Sequence, residues 1–402
     1  MENIKYVADD LIYVGADDRK ISLFERVYPV TKGMSYNSYL LKDEKTVLFD
    51  TADKAVSSKF FENVEFALGG RKLDYIIVQH MEPDHSATLK EILAGYPEAA
   101  VLCSSKTLSL FEQFYGSGLA GRAREVKEGD TLSTGVHNLN FISAPMVHWP
   151  EVIMTYDSVS GILFSADAFG HFGSLDGKIF ADEINFDKTY GDDFRRYYCN
   201  IVGKYGPQVQ AVLKKLAGKN INKICPLHGY VWRDNFDYPL EKYGKWSAYL
   251  PEKEGVAIIY ASVYGATENA AEKAAARLNA AGMDTFLADV SEFHTSELLA
   301  KCFEYENICF ASITYNNGIF SPMEHLLREI AAHNLQNRKV SFIQNGSWAP
   351  ASAKLMREIL ENCKNFRFNE NILTLKSSVN TVSEEDINTF ADSIAEFAKN
   401  NF

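Results

Sequence analysis

The sequence is short of paired cysteine, of net positive charge and of long apolar runs, and each shortage removes a class of protein. Its six cysteines (Cys103, Cys199, Cys225, Cys302, Cys309, Cys363) are scattered and none forms a C-x-x-C pair. A disulfide framework, a cysteine-bound zinc and a rubredoxin-type iron module therefore lack their ligands. The formal net charge of −12 argues against nucleic acid, whose phosphates call for a basic surface. No apolar stretch approaches the roughly 18 to 20 residues that cross a bilayer. The stretch from Met1 to Asp18 carries acidic pairs, Asp9-Asp10 and Asp17-Asp18, where a secretory leader would have a basic start and an apolar centre. The expectation is a cytoplasmic protein with neither nucleic acid nor membrane as partner.

What is present is enough apolar residue, 46% of 402, to build cores in two domains. Short apolar runs at Leu11–Val14, Ser38–Leu41 and Thr46–Phe49, separated by polar turns, read as a β-meander. From Leu73 a second pattern repeats: an apolar run ends in a polar cluster. Tyr75–Val78 leads to His80, Leu139–Ile142 to His148, Ile162–Ser165 to Asp167, and Ile224–Leu227 to His228. The charged, Pro- and Gly-containing segment from Trp246 to Gly255 marks a junction, giving expected domains at 1–250 and 255–402. Beyond it, strand-like runs at Val256–Ala261, Ile308–Ala311 and Val340–Ile343 alternate with helical ones, the pattern of a doubly wound parallel sheet.

The run His80-Met81-Glu82-Pro83-Asp84-His85 sets four metal-capable side chains in six residues after a strand, which packing alone does not explain. With His148, Asp167 and His228 it makes four histidines and three carboxylates, enough for two metals. By contrast His137, His294, His325 and His333 stand alone and read as ordinary polar histidines. The cluster resembles the H-x-H-x-D-H signature of metallo-β-lactamase-fold enzymes, with Glu82 in place of the middle histidine. That departure is similar to the H-x-E-x-D-H signature of flavodiiron proteins. The resemblance implies one iron on His80, Glu82 and His148, a second on Asp84, His85 and His228, and Asp167 bridging them. Hard anionic oxygen donors such as Glu82 suit iron that cycles between ferrous and ferric states. It also places Trp149-Pro150 as a pocket wall, and His171 with Tyr197 or Tyr198 as donors of a proton or hydrogen bond to bound substrate.

The second half opens with Ser262, Tyr264, Gly265, Ala266 and Thr267 between a strand and a helix. Such a turn offers hydroxyls and a helix N-terminus to a phosphate. It resembles the flavodoxin phosphate loop, with Tyr264 at the middle threonine. Later loops, Ser312-Ile313-Thr314-Tyr315-Asn316-Asn317-Gly318 and Asn345-Gly346-Ser347-Trp348, resemble the remaining FMN-binding loops. Ile313 replaces the usual proline, and Trp348 comes early.

The resemblance spans the chain and implies an α/β protein, a metallo-β-lactamase-like αβ/βα sandwich followed by a flavodoxin-like parallel sheet. It implies two iron ions, FMN, and reduction of dioxygen to water, of nitric oxide to nitrous oxide, or both. It further implies a head-to-tail homodimer or dimer of dimers, in which the FMN of one subunit serves the irons of the other. An external donor (rubredoxin, a reduced deazaflavin or another flavoprotein) would supply electrons. Two alternatives are a zinc hydrolase with an accessory flavodoxin domain and a non-catalytic flavin carrier.

Overall fold

In a computed structural model, which describes residues 3–117, 119 and 121–400, the apolar runs become strands of three sheets that position the loops singled out above. The outer ends of both expected domains, residues 1–2 and 401–402, lie outside the described residues. The chain divides into two units, Met1–Tyr198 with Pro207–Gly244, and Cys199–Gly206 with Lys245–Phe402. The crossing after Gly244 coincides with the shift in composition; the excursion at Cys199–Gly206 follows no such shift.

In the first unit one sheet runs in the order Lys5–Tyr6, Leu11–Tyr13, Tyr39–Lys42, Thr46–Phe49, Tyr75–Ile77, Ala100–Cys103, Ala123–Glu125. Its first four strands are antiparallel neighbours, and the pairing is parallel from Thr46–Phe49 onward. The second sheet runs Thr131–Ser133, Asn138–Ser143, Ile153–Asp157, Ile162–Phe164, Lys223–Cys225. Two antiparallel steps bring Asn138–Ser143 back to the direction of Ile162–Phe164, which pairs in parallel with Lys223–Cys225. The carboxyl ends of these three strands, each leading to one of the candidate ligands, therefore share one edge. The sheets meet face to face where the Phe49 and Phe164 rings stack at 3.7 Å.

The helix Ser57–Leu68 buries Phe60, Val64, Ala67 and Leu68 along one stripe, the 3.6-residue period of a helix laid on a sheet. Each large side chain so buried contributes about 1.5–3 kcal/mol. The helix ends where Gly69 takes a left-handed φ of 57°, a conformation glycine adopts without a Cβ penalty.

In the second unit the strands lie in the order Thr285–Asp289, Lys253–Ala261, Tyr305–Tyr315, Lys339–Asn345, Arg367–Leu375, all parallel. By chain order this is 2-1-3-4-5, whose switch point lies between the first and third strands, where such sheets take ligands. The helix Ala266–Ala280 presents Ala270, Ala271, Ala274 and Ala275 to the sheet; small side chains let it approach closely.

Three of the isolated histidines have local partners. His294 accepts from the Ser296 N–H at the start of a helix, and His333 bonds the Glu329 carbonyl. His137 lies 2.6 Å from Asp157 and 2.8 Å from Asp10. Burial alone would lower the His137 pKa, but the hydrogen bonds to Asp157 and Asp10 outweigh it and raise it. A raised histidine pKa gives stability that is complete below the unfolded value near 6.5 and lost as pH rises through the folded one. The His137→Gln variant should therefore fall short of wild type by about 1–3 kcal/mol at pH 6, and by less at pH 9. Urea denaturation at both pH values measures this, and a pH-independent gap would contradict it.

Candidate metal centre and cofactor cleft

The structure brings all seven predicted metal-ligating residues of the first unit together, in two sets. His80, Glu82, His148 and Asp167 form one, and Asp84, His85 and His228 the other, with donor atoms in each set within 4.8 Å of one another. Pro83 opens the short helix Pro83–Ser86, where its missing N–H costs nothing. Glu82 thereby stays ahead of the helix while Asp84 and His85 ride on it.

On one side, His148 Nε2 lies 3.1 Å from Glu82 Oε2 and 3.0 Å from Asp167 Oδ2. His80 Nε2 lies 3.2 Å from Glu82 Oε2 and 3.3 Å from the same Asp167 oxygen. On the other side, His85 Nε2 is 3.1 Å from Asp167 Oδ1 and 3.4 Å from Asp84 Oδ2. His228 Nε2 is 3.2 Å from Asp84 Oδ2 and 3.8 Å from Asp167 Oδ1. Donors held roughly 2.1 Å from one ion at right angles stand about 3 Å apart, so the spacing fits an ion in each set. Both Asp84 carboxylate oxygens, His85 Nε2 and Asp167 Oδ1 are buried with no hydrogen-bond partner among the described residues. They approach their neighbours without the alignment of a hydrogen bond, which leaves metal coordination as the interaction that satisfies them.

The electrostatics agree. Burial would raise the Asp167 pKa, yet His85, His80 and His148 around it hold its carboxyl well below the usual range. Burial would lower His80 and His148, yet the carboxylates lift both, His148 to about 9. Such a set calls for compensating positive charge at its centre.

Several supporting residues escaped sequence reasoning. The Glu151 carboxylate accepts from His80 Nδ1 at 2.8 Å and from the Met81 N–H at 2.9 Å. Ser35 O accepts from His228 Nδ1 at 2.7 Å. Each bond turns the far ring nitrogen, Nε2, toward the centre. Asp50, buried and at a left-handed φ of 53°, accepts from the N–H groups of Gln79 and His80 at 2.8 and 3.2 Å. Burial outweighs those bonds and pushes its carboxyl up to about 6. Glu25 reaches Glu82 from a hairpin, where burial of its carboxyl and the Glu82 charge push it up to about 8. Position in the H-W-P-E run was the one available signal for Glu151; Ser35, Asp50 and Glu25 had none.

His171 corrects an expectation. Its Nδ1 donates to Phe172 O at 2.8 Å and its Nε2 accepts from the Tyr230 N–H at 3.0 Å. Both ring nitrogens are spent on backbone, and burial pushes its pKa down to about 4. It has no proton to offer a substrate. Instead its ring lies against Gly229, where a Cβ would meet it at 2.3 Å, and so fixes the turn that carries His228. Tyr197 differs: its hydroxyl is buried without a hydrogen-bond partner among the described residues. Its ring lies 5.7 Å from that of His228, and after burial the charges of Asp167, Asp84 and Glu82 help raise its pKa. Trp149 sets its ring 5.4 Å from His80, at the wall of the site.

In the second unit a cleft of about 520 Å³ opens at the switch point, lined by Ser262, Tyr264, Ala266, Thr267, Thr314, Tyr315, Asn316, Asn317, Asn345, Gly346, Ser347 and Trp348. Val263, Ile313, Ala349 and Ser377 join them. The helix Ala266–Ala280 has no side-chain cap, and Gly265 enters it at φ 83°, so its first N–H groups are available to an anion. Ser262 Oγ, buried and unpartnered among the described residues, adds a donor. Asn316 and Asn317 both take left-handed φ, 49° and 60°, in the two-residue turn joining Tyr315 to Gly318, a conformation asparagine tolerates. Trp348 and Tyr264 are 87% and 97% exposed, uncovered aromatic surface suited to a flat ring.

Three predicted cleft residues stand outside the lining. Gly265 acts through the backbone turn. Ser312 is buried behind the loop, where its carbonyl accepts from Ser352 Oγ at 2.7 Å. Gly318 lines a separate groove with Glu324 and Arg328, because the asparagine turn carries it away.

Fold and sites together define a class: a binuclear carboxylate–histidine centre on a β-lactamase-like sandwich, coupled in one chain to a flavodoxin-like unit. Comparison with known proteins gives the family. Residues 34–229 match the family model described as ODP family beta lactamase, and residues 258–375 match that of flavodoxin. An anaerobic nitric oxide reductase flavorubredoxin of Salmonella arizonae is 30% identical over 350 residues, covering 85% of this chain and 72% of that protein. The solved rubredoxin oxygen:oxidoreductase of Desulfovibrio gigas is 27% identical, with a TM-score of 0.92 over 98% of both chains. A variant of the flavo di-iron protein of Thermotoga maritima is 26% identical, with a TM-score of 0.89 over 98% of this chain and 99% of that one. The chain belongs to the flavodiiron protein family, oxidoreductases that carry FMN and a binuclear non-haem iron centre. Among the described residues no helix is long and apolar enough to cross a membrane.

Proposed function

We propose that this chain reduces dioxygen to water, nitric oxide to nitrous oxide, or both, at two irons held by the seven residues described above. One observation carries the reading: the two oxygens of Asp167 face different ways, Oδ2 to His80 and His148 and Oδ1 to His85 and His228. A bridging carboxylate between two ions has this form. Bound there, the irons would supply redox equivalents and a place for the gas. FMN in the cleft formed around Ser262, Thr267 and Asn345 would supply the remaining electrons, making four for each dioxygen with two from the irons. Two suffice for a pair of nitric oxides.

The protein's own part is to orient and exclude. Glu151 and Ser35 aim the imidazoles of His80 and His228 inward. Burial of His80, His85, Asp167 and His228 keeps water from the inner side. The Tyr197 hydroxyl has no hydrogen-bond partner among the described residues, its ring packs against that of His228, and we assign it as a hydrogen-bond donor to the bound gas. The flavorubredoxin and rubredoxin-linked names of the relatives support an external donor such as rubredoxin, with a reduced deazaflavin or a flavoprotein as other candidates. In this reading the working form is a head-to-tail homodimer or dimer of dimers, with the FMN of one subunit serving its partner, in the cytoplasm.

Metal and flavin content tests the reading. Protein made in iron-replete, zinc-poor medium is expected to hold two irons and one FMN per chain, and to consume dioxygen or nitric oxide when given reductant. The zinc form should keep its FMN and consume neither gas. Gas consumption by the zinc form, or protein that binds no flavin, would defeat it.

A further inference from the structure

The flavin cleft has a further wall that no sequence pattern marks. Its lining holds no charged side chain, so an anionic cofactor there is met by neutral donors: hydroxyls and the first N–H groups of the helix Ala266–Ala280. Ser377, in the loop past the last strand Arg367–Leu375, brings one more hydroxyl to that lining.

Its backbone is held in a form that its surroundings must impose. The φ of Ser377 is 71°, and Ser378 N donates across it to Lys376 O at 2.9 Å. This closes a γ-turn of positive φ, a rare and strained form. Such strain persists only where neighbouring groups over-determine it. Asn345, buried at the end of its strand, is that neighbour. Its Oδ1 accepts from the Ser377 N–H at 3.0 Å, and its Nδ2 donates to Ser377 O at 3.2 Å. An N–H only donates and a carbonyl only accepts, so these two bonds fix which end of the amide is nitrogen. The same nitrogen donates to Thr267 Oγ1 at 3.3 Å. One amide thereby ties Ser377 to the start of the helix, the end that attracts an anion.

From that position the Ser377 hydroxyl donates to Ser347 Oγ at 2.8 Å. A hydroxyl carries one proton and two lone pairs. Having accepted from Ser377, Ser347 has its own proton left to give, and both serines are exposed at the cleft. We propose that Ser377 is a positioning residue of the cofactor site: it commits Ser347 to donating a hydrogen bond to the phosphate of FMN. The inference rests on the cleft being the FMN site.

The test is selectivity between two flavins. The full chain, stripped of flavin, is titrated with FMN and with riboflavin, which has the same ring and ribityl chain but no phosphate. Quenching of flavin fluorescence follows binding. A hydrogen bond to a charged group is worth about tenfold to a hundredfold in affinity. Ser347→Ala should weaken FMN by that much and riboflavin by less than about threefold. Ser377→Gly keeps the turn, because glycine takes its φ without strain. It should weaken FMN about tenfold and leave riboflavin unmoved. The double variant should match Ser347→Ala to within about threefold, since Ser377 acts through Ser347. Unchanged FMN affinity in Ser377→Gly overturns the proposal. Equal losses for the two flavins overturn it too, because they mean a displaced loop. Losses that multiply in the double variant do the same, because Ser377 would then act independently of Ser347. Wild-type protein that takes up neither flavin would reject the flavin reading of the cleft itself, an outcome that needs no variant.

Discussion

Replacing Asp167 with alanine is expected to abolish gas reduction, with turnover down more than about a hundredfold, while FMN stays bound. Residues that merely orient a metal ligand are worth about 10–100-fold. Asp167 does more: its two oxygens stand between the two sets of donors, 3.0 Å from His148 and 3.1 Å from His85. It is also the buried charge that holds the surrounding histidines in place, so its loss leaves imidazoles facing one another. Iron content should drop from two per chain to one or none. The Asp167→Asn variant keeps the shape and loses the charge, and should retain more metal than the alanine variant with little activity. The flavin cleft is built by the other unit, so flavin absorbance should be unchanged. Iron analysis beside an oxygen-electrode assay decides the matter, and full turnover in the alanine variant would remove the metal centre from the mechanism.

The largest effect on stability is expected at Arg338. Its side chain is fully buried, and it pairs with no carboxylate in the contacts described. It donates instead to five carbonyls: Cys302 and Phe303 at 2.7 and 2.6 Å, Tyr249 at 2.8 Å, and Gln336 and Asn337 at 2.8 and 2.9 Å. Two of these belong to the last turn of the helix Thr295–Glu304, where carbonyls have no partner within the helix. Burial pushes the guanidinium pKa down to about 10, so it stays charged at neutral pH. Arg338→Met should cost at least about 3–5 kcal/mol, as for removal of one partner from a buried charged network, because it strands several carbonyls at once. That is a large part of the roughly 5–15 kcal/mol by which a domain is stable. Arg338→Lys has three donors for five acceptors and should lose less than the methionine variant. Denaturant unfolding followed by flavin release measures both, and a methionine variant within 1 kcal/mol of wild type (about a fivefold change in the folding constant) would show that water replaces the arginine.

The seven residues of the candidate metal centre were legible because their chemistry is dense and their placement periodic. Four fall in six consecutive positions, and the others each follow an apolar run. The flavin loops could be read for a similar reason, since each follows a parallel strand, yet their edges could not. Ser312 and Gly318 satisfy the pattern, but the strand's alternation buries one and the asparagine turn removes the other. His171 shows the opposite failure. It stands four residues beyond Asp167, close enough in sequence to suggest a donor, while the Tyr230 N–H that occupies its Nε2 comes from 59 positions away.

Glu25, Asp50, Glu151 and Arg338 had no local signature at all. Each is one polar residue among ordinary neighbours, and its role depends on a partner brought close by chain reversal: Gln79 for Asp50, His80 for Glu151, Glu82 for Glu25, Cys302 for Arg338. The sequence by itself determined the two-part α/β organisation and the ligand types, because strand periodicity and donor chemistry are properties of single segments. The tertiary structure decided which oxygen of Asp167 faces which histidines, which nitrogen of each imidazole points inward, and which edge of the centre stays open. Those depend on distances of a few ångströms between segments far apart in the chain, which sheet packing fixes and residue order does not record.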